Sequence, residues 1–398
     1  MATPAQRTNT WILDQWYDQA VAGTQGDYVG GRSLFSVGTN IYSTLGLNQS
    51  SPSLKISSPT QVGTNINWQR VVQANNVALA TKDDGTLWSW GRNTDGELGH
   101  NNKTQYSSPR QVGTDTTWSK VSRNSNNSGA ITTDGELYMW GQNYGNLGLN
   151  QPGNGGPGGK TARSSPTQIP GDTWGHIENT GTGSNFGVKT DGTLWSWGYN
   201  TDGQLATNNK TRFSSPTQVG TDTDWNYNND TNNWGGAAGN MVCTVKTDGS
   251  LWGWGNNNAG ELGQNSRIKQ SSPVQIPGSW KSVGNGGITG GGIKTDGTLW
   301  TWGNGGMGQL ANGSTGNPNR RSSPVQVGTA TDWSYMANCQ DSNMGAFKTD
   351  GTLYTWGRNS EGELGQNNSS YRPDATQVPG VYSGNSVVAE CSLFLKEV

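Results

Sequence analysis

Histidine is nearly absent from this chain: there are two, His100 and His176, in 398 residues. With so few groups able to exchange a proton near neutrality, acid-base catalysis has few candidates. Cysteine is just as sparse. Cys243, Cys339 and Cys391 are odd in number, far apart and without CxxC spacing, so neither a disulfide framework nor a zinc site is expected. Only 14% of residues are charged, the formal net charge is -2, and no block of Lys or Arg exceeds the pair Arg320-Arg321. A nucleic-acid backbone would find no footprint. No run of 18 apolar residues suggests a membrane span, and MATPAQRTNTW lacks the basic and apolar regions of a signal peptide, so a soluble, non-secreted product is expected.

What is present is glycine, 61 residues, and an unusual 19 tryptophans. That aromatic load argues against the disorder that abundant Gly, Asn, Ser and Thr would otherwise suggest. The tryptophans fall into a repeated phrase. A strand of the type LWSWG closes on Gly38, Gly91, Gly141, Gly198, Gly255, Gly303 and Gly357, with Leu-Gly or Leu-Ala and then Ser-Ser-Pro or a near variant downstream. Seven units at a period of roughly 50 residues indicate a propeller or solenoid and one large domain.

Within residues 186–220, FGVK and TLWSWG flank Asp191-Gly192, a hairpin signal that recurs at Asp84-Gly85, Asp134-Gly135, Asp248-Gly249, Asp296-Gly297 and Asp350-Gly351. The prolines Pro59, Pro109, Pro166, Pro216, Pro273, Pro324 and Pro373 are expected to start a further extended run, and another strand is expected from Trp68, Trp118, Trp174, Trp225, Trp280 and Trp333. Four short strands per unit make a propeller blade. The single Leu in each loop (Leu45, Leu98, Leu147, Leu205, Leu262, Leu310, Leu364) should plug the loop onto its blade. Sixteen of the 19 Trp lie in three repeat columns and read as packing between blades. Trp11, Trp16 and Trp234 are the exceptions.

The closing segment SVVAECSLFLKEV reads as the strand before a hairpin, and GRSLFSVG (31–38) as the strand after one. Pairing Leu393–Lys396 with Leu34–Val37 would complete a seventh blade and remove two open edges. The predicted fold is all-β: a closed seven-bladed propeller of four-stranded blades over 31–398, preceded by an amino-terminal arm over 1–30.

The pattern TDGTLWSWGxNxxGQLG followed by SSPxQV resembles the repeat of the regulator of chromosome condensation family, whose members are seven-bladed propellers. The resemblance spans 31–398. Its Trp- and Asn-rich, charge-poor form is similar to bacterial and bacteriophage versions. The family's founder implies guanine-nucleotide exchange with chromatin binding, for which a basic tail and a charged wedge would be expected and neither is seen. A related plant ultraviolet-B photoreceptor carries GWRHT, absent here.

No catalytic constellation emerges. His100 and His176 occupy columns of varied residue type and are read as solvated loop or strand positions. Glu97, Glu261 and Glu363 share a column with Gln204, Gln309, Asn146 and Thr44, which suits a polar loop. Residues 93–97 faintly resemble a calcium loop without its terminal bidentate acid, and GNGGPGG at 153–159 lacks the step of a phosphate cradle. No enzyme activity, cofactor or metal is expected.

Binding is expected where the repeat is interrupted: 151–163, 226–240 with Trp234, and 311–321. The arm places Trp11, Ile12, Leu13, Trp16 and Tyr17 at mixed three- and four-residue spacings, fit for a short amphipathic helix or docking peptide. The sequence therefore suggests a non-enzymatic propeller attached through 1–30 to a bacteriophage virion as a fibre, decoration or receptor-binding protein. A glycan or protein receptor would meet its loops, with no nucleic acid and no membrane insertion. A secreted inhibitor or lectin-like propeller is the other alternative to nucleotide exchange.

Overall fold

The structure, a computed structural model, describes residues 31–397 except 52, 75, 125, 152–161, 172, 182, 228–239, 317–318, 340–341, 383 and 388–390. The expected arm, Trp11, Ile12, Leu13, Trp16 and Tyr17 within it, and Trp234 lie outside the described residues.

Seven sheets follow one another around a ring, antiparallel except for one short parallel step in the first. Blade 2 shows the plan: Trp68–Ala74, Val77–Lys82, Leu87–Gly91 and Tyr106–Gln111 pair in sequence order from the innermost strand to the outermost. Blades 3, 4, 6 and 7 repeat it. The second and third strands meet at the Asp-Gly turn, where Gly85 N–H donates to the Lys82 carbonyl and Lys82 N–H to that of Thr86. Gly85 has φ of 75°, so the Gly follows the tight turn as a left-handed residue, and the Asp84 carboxylate accepts from Thr86 N–H and its hydroxyl.

Blade 1 closes the ring. Arg32–Thr39 lies between Lys55–Gln61 and Cys391–Glu397, with Leu34 opposite Leu395, Phe35 opposite Phe394 and Val37 opposite Ser392. The expected single strand SVVAECSLFLKEV divides in two, Gly384–Val387 and Cys391–Glu397, which pair antiparallel. A two-residue strand, Asn338–Cys339, reaches from blade 7 and adds a parallel step to Gly384–Val387.

Two local expectations change. The prolines do not start the outer strand. In blade 2, Pro109 lies inside Tyr106–Gln111, in the bulge where the register with Ser89 and Gly91 shifts. An edge bulge demands no donor from Pro, so the residue fits there without losing a ladder bond. In blade 5, Trp225 forms only an isolated bridge to Lys246, leaving three strands among the described residues.

The core lies between blades. One cluster joins Val72, Leu79, Leu87 and Val112 of blade 2 to Trp118, Ala130 and Trp140 of blade 3. The second Trp of each LWSWG strand is fully buried, and most of these indoles bond the preceding blade. Trp90 donates to the Thr44 carbonyl, Trp140 to Glu97, Trp254 to Gln204, Trp302 to Glu261 and Trp356 to Gln309, all at 2.7–2.9 Å. The packing role expected for these Trp is thus also a polar one.

Candidate functional site: the loop end of the ring

The topology gives the ring two unlike ends. Connections from second to third strand, the Asp-Gly turns, and those leading into the next blade lie at one end. Connections from first to second and from third to fourth strand lie at the other.

The long third-to-fourth loops are built from inside. In blade 2, Asn93 accepts from Leu98 N–H and donates to the carbonyls of Asn102 and Thr104. Asn200, Asn257 and Asn359 make the same set, which holds the buried Leu205, Leu262 and Leu364 in place. The Leu plugs are therefore as expected. The Asn that orients these plugs is a column whose role the sequence reading missed, although it stands in the phrase GxN, with Gly305 in its place in blade 6.

The acidic column is a correction. Glu97, Glu261 and Glu363 are fully buried, not polar loop surface. Each carboxylate accepts a backbone N–H two residues upstream, at Asp95, Ala259 and Glu361, and Gln204 and Gln309 do the same at Asp202 and Met307. Burial raises the carboxyls of Glu261 and Glu363 above their ordinary value. An uncharged amide serves equally well at this position, so the column closes loops and does no acid-base work. The calcium-like stretch at 93–97 is consumed likewise: the Asn93 amide and the Glu97 carboxylate are spent on the loop.

Both histidines also differ from expectation. His100 is half-buried, 2.9 Å from the Ser89 hydroxyl and edge-on to Tyr106, and burial lowers its pKa to about 4. His176 is buried on the innermost strand of blade 4, where burial pushes its pKa well below the usual value. Its Nε2 lies 3.7 Å from Glu178, whose carboxyl burial raises to about 8. His100 lies against the third and fourth strands of its own blade, and His176 on the innermost strand of its blade beside Glu178. Cys243 is buried and its thiol pushed up by burial, as an inert packing residue should be. Among the described residues no group of three His, Cys, Asp or Glu could hold a metal ion.

A second missed column is the Lys two residues before the Asp-Gly turn. Lys82 sits 4.8 Å from the Trp68 ring centre and 3.9 Å from that of Trp88. Lys189, Lys246, Lys294 and Lys348 repeat the arrangement over their own aromatic pairs. Each ammonium caps its blade through the ring quadrupoles.

Residues 152–161, 228–239 and 317–318 of the three insertions lie outside the described residues, and the described residues of 151–163 and 311–321 lie in the third-to-fourth connections of blades 3 and 6, at the loop end. Exposed apolar residues gather there as well: Ile268, Ile288, Met307, Tyr371, Ile41 and Tyr42, on the consecutive blades 5, 6, 7 and 1. Residue 31 lies at the opposite end. Arg32 pairs with Glu397 and bridges Asn67, and Gly31 packs against Ile66.

A closed ring of seven sheets with its long third-to-fourth loops at one end is a seven-bladed β-propeller. The regulator of chromosome condensation (RCC1) repeat matches residues 84–130, 191–225, 248–286, 296–338 and 350–392, more than half of the chain. The chain belongs to that family. Each match begins at an Asp-Gly turn. The unmatched units are the one shared between the chain ends and the one carrying the insertion at 151–163. Among solved structures, human WBSCR16 superposes with a TM-score of 0.78 at 20% identity, covering 92% of this chain and 99% of that one. Prp20p from Saccharomyces cerevisiae, described with its binding to Gsp1p and histones, gives 0.78 at 17% identity, covering 93% and 92%. Yeast RCC1 (Prp20) in a structure with Kap60 gives 0.77 at 16%, covering 99% and 95%. At these identities the likeness is one of fold.

Proposed function

We propose that this chain is a non-enzymatic adaptor that binds partners at both ends of its ring. Residues 1–30 anchor it to a larger assembly, a bacteriophage particle, and the loop end takes a protein receptor. The observation that carries the reading is polarity: residue 31, which follows the arm in the chain, lies at the Asp-Gly end, while the apolar arc from Ile268 to Tyr42 lies at the other. Such an arrangement lets one end be occupied without obstructing the other. The Trp- and Asn-rich composition, similar to bacteriophage versions of the repeat, supports the choice of assembly. Protein partners fit the family, since Prp20p is described with Gsp1p, histones and Kap60.

Deleting residues 1–30 tests the anchor. The truncated chain should remain a folded monomer and disappear from purified particles by mass spectrometry. Retained incorporation would overturn the anchor. Accelerated nucleotide release from a small GTPase by the full chain would instead favour the exchange activity of the family's founder.

A further inference from the structure

In blades 2, 5 and 7 the residue two places after the buried Leu is long and polar and lies back across the third and fourth strands. His100 meets Ser89 and packs on Tyr106. Gln264 donates to the carbonyls of Gly253 and Val274, and Gln366 to those of Thr355 and Thr376. These side chains fill the bulge where the register of the two strands shifts. Blade 4 has Thr207, too short to span the strands, and its hydroxyl turns to Asn209 at 3.2 Å. A groove of about 500 Å³ opens there between the outer strands of blades 4 and 5. That is the size of a small-ligand site.

The lining is mixed in a particular way. Phe213, Trp225 and Trp252 supply aromatic wall, and Thr217, Gln218 and Asp222 supply hydroxyl, amide and carboxylate groups. Trp225 and Trp252 stand edge to face, their centres 6.5 Å apart, and such a pair could take a cation. That place is already filled. Lys246 lies 4.7 Å from Trp225 and 5.0 Å from Trp252, and its ammonium is bonded to Asp222 at 2.7 Å and Asp224 at 2.8 Å. One lysine against two carboxylates leaves the wall slightly negative, which disfavours an anion, while the occupied aromatic pair disfavours a second cation. A ligand that suits the remainder is uncharged, presents C–H groups to the aromatic rings and carries several hydroxyls for Thr217, Gln218 and the exposed edge of Asp222.

We propose that the groove between blades 4 and 5 binds a neutral sugar. The proposal rests on neither the arm nor the particle, so it stands or falls separately from the adaptor reading. Saturation-transfer NMR on the full chain with glucose, galactose, mannose and N-acetylglucosamine, singly and as disaccharides, should give transfer from at least one. Thr207→Gln, which installs the side chain of blades 5 and 7, should weaken that binding about tenfold or more while the unfolding midpoint holds. Trp252→Ala should abolish it. Absence of transfer from every neutral sugar overturns the site, as does unchanged binding by the Thr207→Gln protein or equal transfer from sialic acid and glucosamine.

Discussion

Leu34 stands directly opposite Leu395, so residues from the two ends of the chain occupy adjacent strands of one blade. Both side chains are buried in the cluster that contains Trp68 and Trp90 of blade 2. The seventh sheet and the contact between first and last modules are therefore one structure.

Removing residues 391–398 should open the ring. It strips the partner of Arg32–Thr39 and exposes a long edge strand, so aggregation and a lower, broader melting transition are expected by size-exclusion chromatography and calorimetry. Phe394→Ala, a milder change at a fully buried ring, should cost about 3–5 kcal/mol by denaturant titration.

The cross-blade indole bonds give a second prediction. Trp302→Phe keeps most of the apolar volume but leaves the Glu261 carbonyl without its 2.7 Å donor. A loss of about 1–3 kcal/mol is expected, since a buried acceptor then goes unpaired. Trp300→Phe should cost less, because its indole bonds only Thr298 at a half-buried position.

Glycines of similar φ should tolerate alanine very differently. At Gly85 a Cβ would fall 1.9 Å from the Thr116 carbonyl oxygen, so Gly85→Ala must displace the neighbouring connection. At Gly113, with φ of 63°, nothing lies within 4 Å. Gly113→Ala should cost only the left-handed backbone penalty of about 1 kcal/mol, with Gly85→Ala clearly worse in the same melts.

The buried pair on blade 4 predicts a dependence on pH. Glu178 titrates near 8 in the folded ring against 4.5 in the unfolded chain, so between those values the native state holds the extra proton and stability falls as pH rises. His176 acts in the opposite sense at lower pH: its folded pKa is depressed, so stability is lost as pH falls below about 6.5, where the unfolded chain takes up a proton. Glu178→Gln should flatten the decline between about pH 5 and 8 when denaturant titrations are compared across that range. An unchanged slope would show that the carboxyl is not held neutral.

The expected ring needed only periodicity and hydrogen-bonding rules. Asp191-Gly192 between FGVK and TLWSWG marks a hairpin in any context, and GRSLFSVG lacking its turn could only be half a blade. What escaped was the use of individual polar columns. Glu97 reads as loop surface because its column also holds Gln and Thr, and nothing local says that the next blade's Trp will cover it. Lys82 before Asp83-Asp84-Gly85 was plain in the sequence, yet its place between two rings depends on how Trp68 and Trp88 project from strands that are not adjacent. The arm residues Trp11, Ile12, Leu13, Trp16 and Tyr17, and Trp234, lie outside the described residues.

The sequence by itself determined the number of modules, their strand order and the pairing of the chain's two ends, because alternation and turn chemistry are local and were repeated until they left one solution. Tertiary structure alone decided which polar groups are solvated. Burial of Glu97, His176 and Glu178 depends on how closely the next blade approaches. The groove at Thr207 opens where a short side chain stands in place of the long polar one of blades 2, 5 and 7, and two of its three aromatic residues, Trp225 and Trp252, come from the next module.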